Sequence, residues 1–191
     1  MWNVLLDPLP TEWNGYPIDS DFQIGIQISQ CLHDESLTET EQFLIAADLL
    51  FPSEENHPGI EEAAAGLKWF LSEFLHDNNT DKKDDVRIMD FDIDQWRIYA
   101  AFQNQYHIDL NTAQMHWFVF MGLLTNLNEC SFTHVINIRQ KEITTKMSVE
   151  EKQHLRKSKK IFAIRAQKDV RISASEQKAI DEFLKYANVN K

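Results

Sequence analysis

The stretch over 115–124 narrows the folds open to this chain more than any other, because Met115, Trp117, Phe118, Phe120, Met121, Leu123 and Leu124 leave it almost no polar surface. An amphipathic helix can lie on a surface, but a helix apolar on nearly every side has to sit inside a core or lend part of itself to a partner. We read a helix that starts at Asn111 or Thr112 and runs to Leu127. It is the centre of the core, or partly a docking face carried by Met115, Trp117, Phe118, Phe120 and Met121. Either way it needs other helices around it.

Those helices are signalled in turn. Asp19 or Ser20 can cap one that lasts to His33, with Phe22, Ile26, Ser29 and Ile24, Ile28, Cys31 recurring at spacings of three and four. Thr38-Glu39-Thr40-Glu41 spells a capping box, a hydroxyl and a carboxylate that each accept from the other residue's backbone N–H, ahead of an apolar run over 43–51 that Pro52 ends. A third helix begins near Pro58-Gly59, with Ile60, Ala64, Leu67, Phe70, Leu71, Phe74 and Leu75 on its apolar face. Asp92 caps a fourth, in which Trp96, Tyr99, Ala100, Phe102, Gln103 and Tyr106 crowd two adjoining faces. After the apolar helix come a short one over 132–140, a basic one over 148–166, and a last one opened by the capping box Ser173-Ala174-Ser175-Glu176 and ending near Tyr186.

Ahead of all of these, Val4-Leu5-Leu6 and Tyr16-Pro17-Ile18 read as strands of a hairpin over 3–18 that turns on Asn14-Gly15. Two strands are not stable alone in water, so the hairpin should rest on the helices. The polar run from Asp77 to Asp85 marks a loop or an internal boundary over 77–88. The expected fold is all-α: a single domain of about seven or eight helices with a short N-terminal β-hairpin and a basic C-terminal part over 139–191.

Charge is unevenly spread. Residues 1–130 carry 23 Asp/Glu against 5 Lys/Arg, and residues 131–191 carry 7 against 14, so a net −11 conceals −18 followed by +7. An acidic body argues against general nucleic-acid binding, whose affinity comes largely from neutralising phosphates. The basic cluster Lys152, Arg156, Lys157, Lys159, Lys160, Arg165, Lys168 and Arg171 could touch phosphates, an acidic protein surface or the acidic half of a neighbouring copy, beside being an ordinary solvated face. Lys157 and Lys160 are the candidate protein-binding positions in it. No apolar run reaches the roughly 20 residues that cross a bilayer, so no membrane partner is expected. Met1-Trp2-Asn3 opens without a basic region, and Cys31 and Cys130 stand far apart without a CxxC spacing, which makes a reducing cytosol the expected compartment.

Catalytic patterns are hard to assemble. Five glycines leave little material for a phosphate-cradling loop, and neither cysteine falls in a nucleophile–histidine–acid motif. The seven histidines never occur as HExxH or HxxxH, and His116 next to Trp117 reads as a core or seam histidine making one hydrogen bond. Asp90, Asp92 and Asp94 alternate as in a calcium loop, but the turn glycine and the twelfth-position glutamate are missing, so helix capping is the better reading. We expect no enzyme, cofactor or metal.

With these residues in hand, the chain resembles the bacteriophage gene-product-fifteen proteins, found among tail genes of long-tailed phages and prophages of Gram-positive bacteria. The likeness covers most of the chain. It rests on Leu6-Asp7-Pro8-Leu9-Pro10, Tyr16-Pro17-Ile18-Asp19-Ser20-Asp21-Phe22, Leu50-Phe51-Pro52 and Gly66-Leu67-Lys68-Trp69-Phe70. It is densest in Asp94-Gln95-Trp96-Arg97-Ile98-Tyr99-Ala100-Ala101-Phe102, Tyr106-His107-Ile108-Asp109-Leu110 and Met115-His116-Trp117-Phe118-Val119-Phe120, and it ends in the block over 139–160. Where the family usually has a turn glycine before Ile-Asp-Leu, this chain has His107, and the last twenty residues match less clearly.

Such a resemblance implies a non-catalytic tail-assembly protein in the host bacterial cytoplasm, because family members lie by gene order near the tape-measure protein. A long helical chain with exposed apolar stripes needs cover until tail subunits surround it. The expected partner is therefore the tape-measure protein or another tail protein. A minor tail or tail-tip component retained in the virion is the alternative, and a DNA-binding regulator working through the basic helix is a third.

Overall fold

A computed structural model describes residues 3–72 and 87–164. Seven helices follow a two-stranded hairpin among them: β1 (Glu12–Trp13), β2 (Tyr16–Pro17), α1 (Phe22–Cys31), α2 (Glu39–Leu50), α3 (Ile60–Ser72), α4 (Gln95–Tyr106), α5 (Trp117–Thr125), α6 (Ser131–Gln140) and α7 (Val149–Ile161). The second predicted capping box, the predicted last helix, Phe74, Leu75, Arg165, Lys168, Arg171 and residues 77–86 of the predicted boundary lie outside the described residues. Side chains from before and after that boundary share one apolar core.

The hairpin turns where the sequence places it, with Asn14 at φ 50° and Gly15 at φ 85°, the left-handed pair that a two-residue turn of the right twist needs. It is shorter than 3–18, since Glu12 pairs with Pro17 and Trp13 with Tyr16, while Val4, Leu5 and Leu6 lie in an exposed turn instead of a strand. Asn3 closes that turn by accepting from Leu5 N–H, and Asp7 accepts from Asn3 N–H. Trp13 and Tyr16 both pack on Phe51 with ring centroids 6.4 Å away, which rests the hairpin on the end of α2.

Three helix starts differ from the sequence reading. Asp21 caps α1, accepting from Gln23 N–H, while Asp19 accepts from Asp21 N–H one step earlier. The face α1 buries is Phe22, Gly25 and Ile28, with Ile24 and Ile26 on its flanks. Asp94, not Asp92, stands at the start of α4, and Asp92 is drawn off to accept from the Gln30 side chain of α1. Finally α5 begins at Trp117, six residues after Asn111, because Asp109 spends its side chain and carbonyl on an isolated turn with Asn111, Thr112 and Ala113. On α3 the buried face is Ala63, Gly66, Leu67 and Phe70, while Ile60 is 73% exposed.

The predicted capping box at Thr38 and Glu41 is present, and Thr38 holds the Glu41 carboxyl below its usual pKa, by its backbone N–H and then its hydroxyl. An equivalent box, Ser148 with Glu151, opens α7. His107 ends α4 at φ 56°, the left-handed position that glycine adopts most easily. Around α5 the core is a ring assembly. Phe120 stacks with Phe22 at 5.0 Å and Phe102 at 5.1 Å, and Trp117 stacks with Phe70 at 6.0 Å.

Candidate functional site

Two constellations tie distant parts of the chain together, and a third group of residues faces solvent. The first centres on His116. Its Nδ1 accepts from Phe118 N–H and so caps α5, and its Nε2 donates to the Pro10 carbonyl at 2.9 Å. Neighbouring backbone completes a short antiparallel bridge between Asp21 and His116, with Phe22 N–H donating to Met115 and Trp117 N–H to Ser20. Trp117 Nε1 then donates to the Phe70 carbonyl on α3. A Cβ on Gly25 would fall inside the Trp117 ring, so α1 can lie against α5 only because position 25 is glycine. Burial lowers the His116 pKa, opposed in part by the Pro10 carbonyl. Being neutral is also what capping requires, because a protonated Nδ1 could not accept from Phe118. The histidine thus makes two hydrogen bonds where the sequence suggested one, and it holds the segment around Pro10 to the core.

The second constellation is a buried ion cluster. Asp94 is 0% exposed and receives a two-pronged contact from Arg139 of α6, Nη1 at 2.5 Å and Nη2 at 3.1 Å, with Arg97 Nη1 adding a third at 3.1 Å. Arg139 also donates to the carbonyls of Ile88 and Phe162, and its own carbonyl accepts from Lys159. Asp90, buried as well, caps the turn by accepting from Asp92 and Ile93 N–H and pairs with Arg87. The Arg97 guanidinium lies 5.9 Å from the Phe162 ring centroid. One side chain, Arg139, therefore fixes the entry to α4 and the exit of α7 at once. Capping explains Asp90 as the sequence suggested, but it does not explain Asp94, which has no cap hydrogen bond.

Trp117, Phe118, Phe120 and Met121, proposed as a docking face or core, are core: they are 2%, 7%, 0% and 7% exposed. Met115 is half-buried beside them. Burying α5 on nearly every side leaves Val119 as its exposed large side chain. Lys157 and Lys160 do lie exposed on α7. The residue the sequence reading missed is Trp96, which stands 75% exposed on α4 with Ile93, 40% exposed, one turn before it. Tyr99 meets the Trp96 ring edge-on at 6.0 Å and is itself held by Asp109. A signal was available: Ile98, Ala101 and Phe102 make the better apolar stripe, and Trp96, two residues from Ile98, projects about 200° round the helix from it.

Both cysteines are free, and the Cys31 thiol is pushed above its usual pKa by burial and then by the nearby Asp34 charge. Among the described residues no group of three or more His, Cys, Asp and Glu could hold a metal ion, and no helix is long and apolar enough to cross a membrane.

The family model described as Bacteriophage Gp15 protein matches residues 5–164. The chain belongs to that family. Searches of curated proteins and of solved structures return no match. In this Gp15-family protein the segments that carry the resemblance converge on the two constellations: Pro10, Asp19–Phe22, Phe70 and Met115–Phe120 meet around His116, and Asp94, Arg97, Arg139 and the basic helix meet in the ion cluster. The matched region ends two residues past Phe162, the carbonyl that Arg139 holds.

Proposed function

We propose that this phage protein is a non-catalytic tail-assembly factor that binds amphipathic helical segments of the tape-measure protein through α4. The observation that carries the reading is Trp96, an indole 75% exposed on a helix whose first turn is fixed by the buried Asp94–Arg139 pair. Large aromatics on rigid elements supply contact area at small entropic cost, and they dominate binding where they occur. Ile93, one turn away, extends the surface in the direction an i, i+3, i+4 stripe on a partner helix would follow. Membership of the Gp15 family supports a phage role, and the gene-order association expected of the family supports the choice of partner.

The test is co-expression of the full chain with the tape-measure protein of the same phage. Solubilisation and co-purification are the expected result, and Trp96→Ala should weaken the complex by at least ~30-fold, the effect of losing a residue worth about 2 kcal/mol, with thermal stability unchanged. A tape-measure chain that still precipitates, or a complex indifferent to Trp96→Ala, sinks the reading. Mass spectrometry of purified particles then separates a transient chaperone from a component retained in the virion.

A further inference from the structure

The opposite charges of the two parts of the chain reach solvent on two separate helix faces. Along α2 the outward stripe is Glu41, Leu44, Ile45 and Asp48, with Leu44 48% and Ile45 42% exposed and the Asp48 side chain 78% exposed. This is an apolar pair with a carboxylate one turn away on either side. Along α7, opposite the buried Leu155, the outward stripe is Arg156, Lys157, Lys160 and Ile161, and Ile161 is 65% exposed. Among the described residues no carboxylate pairs with Arg156 or Lys157. The two helices belong to different parts of the fold, since α2 packs on α1 and α3 while α7 packs on α6.

We propose that α7 of one copy lies along α2 of a second copy, so that the protein self-associates head to tail. With Ile161 set on Leu44 and Ile45, Lys157 lies one turn, about 6 Å, back along α7. That matches the distance from the apolar pair to Asp48, which Lys157 meets when the two helices run antiparallel. The contact joins two different patches, so a pair keeps one free α2 and one free α7, and association continues into a ring or an open chain. Charge supplies the specificity, because two α2 faces repel each other and so do two α7 faces. Nothing in this contact uses Trp96, so it stands or falls independently of the tape-measure reading.

Sedimentation velocity of the full chain tests it at salt concentrations from ~0.01 to ~1 M, over which the screening length falls from about 30 to about 3 Å. Species larger than a monomer are expected at the low end and loss of them at the high end. Reversing charge on α7 alone, with Arg156→Glu and Lys157→Glu, or on α2 alone, with Asp48→Lys, should abolish association while circular dichroism stays unchanged. Combining the three substitutions in one chain should restore it. A wild-type protein that is monomeric at low salt overturns the proposal, and so does association that survives the separate reversals or fails to return in the combined variant. Trp96→Ala should leave the oligomers as they are.

Discussion

Replacing Arg139 by Met tests the reading of the buried cluster as the clasp between α4, α6 and α7. Asp94 has no exposure to water, and Arg139 supplies two of the four hydrogen bonds its carboxylate accepts, Arg97 and Asp90 N–H supplying the others. Breaking a buried pair by removing one partner costs about 3 to 5 kcal/mol, because a charge stays behind without its counter-ion. Arg97 remains at 3.1 Å, which argues for the low end, whereas the Ile88 and Phe162 carbonyls lose their donor, which argues against going lower. About 3 kcal/mol is therefore expected, read by urea unfolding, with a fall in Tm of about 6 to 12 °C for a chain of this length. Asp94→Leu should cost a similar amount, since it strands Arg139. The double variant should cost less than the sum by about 2 kcal/mol or more, since neither charge is then left alone. Trypsin gives an independent readout: without Arg139 the last turn of α7 loses its tie at Phe162, so cleavage at Lys157, Lys159 and Lys160 should quicken. Arg139→Met costing under about 1 kcal/mol, or costs that simply add in the double variant, would refute the clasp.

Three further substitutions follow from the geometry. His116→Ala removes the cap on Phe118 and the bond to Pro10, for about 2 kcal/mol in urea titration at neutral pH. Because the folded pKa of His116 is depressed, the unfolded chain binds the extra proton, so its contribution is full above about pH 6.5 and declines as pH falls towards the folded pKa; the gap between wild type and His116→Ala should shrink over that acid range, and a gap that widened there would count against the neutral cap. Gly25→Ala should destabilise by about 1 to 3 kcal/mol despite alanine's better helix propensity, since the Trp117 ring occupies the space and its Nε1 is tied to Phe70; a Tm equal to or above wild type would contradict the close approach. His107→Gly should raise stability by about 0.5 to 1 kcal/mol by relieving a left-handed φ of 56°, and a loss on urea unfolding would mean the imidazole has a role the strain conceals.

The fold was legible wherever one residue decides a local geometry. Thr38 and Glu41 fix the start of α2, Pro52 its end, and Asn14-Gly15 the hairpin turn, because each acts through its own backbone within four residues. Reading failed where a residue of the right chemistry had a distant competitor. Asp92 is as good a cap as Asp94 in sequence, but Gln30, 62 positions away, takes its carboxylate. The start of α5 moved to Trp117 because Asp109 had already satisfied the turn ahead, and because His116, a poor cap by general preference, is locked in place by Pro10, 106 positions away. The same limit hid the role of Arg139, whose partner Asp94 lies 45 residues upstream.

Those long-range ties also separate two kinds of residue within the segments that carry the Gp15 likeness. His116, Trp117, Asp94 and Arg139 each hold elements together, so the fold alone is reason enough for them. Trp96 lies in the densest of those segments, yet most of its indole is in water and its ring touches Tyr99 at the edge, so packing gives little reason for a tryptophan there. An exposed indole also carries a cost in solubility that a polar residue would avoid. The apolar helix α5 drew attention in the sequence because it is the most apolar, but extreme apolarity is what a core demands. An aromatic left 75% exposed on a rigid helix is the stronger sign of a partner, because burial within the chain does not account for it. Binding of the tape-measure protein should therefore respond to substitution of Trp96 and Ile93 at constant stability, whereas substitution of Trp117 or Phe120 should lower stability by about 3 to 5 kcal/mol and affect binding only as the fold is lost.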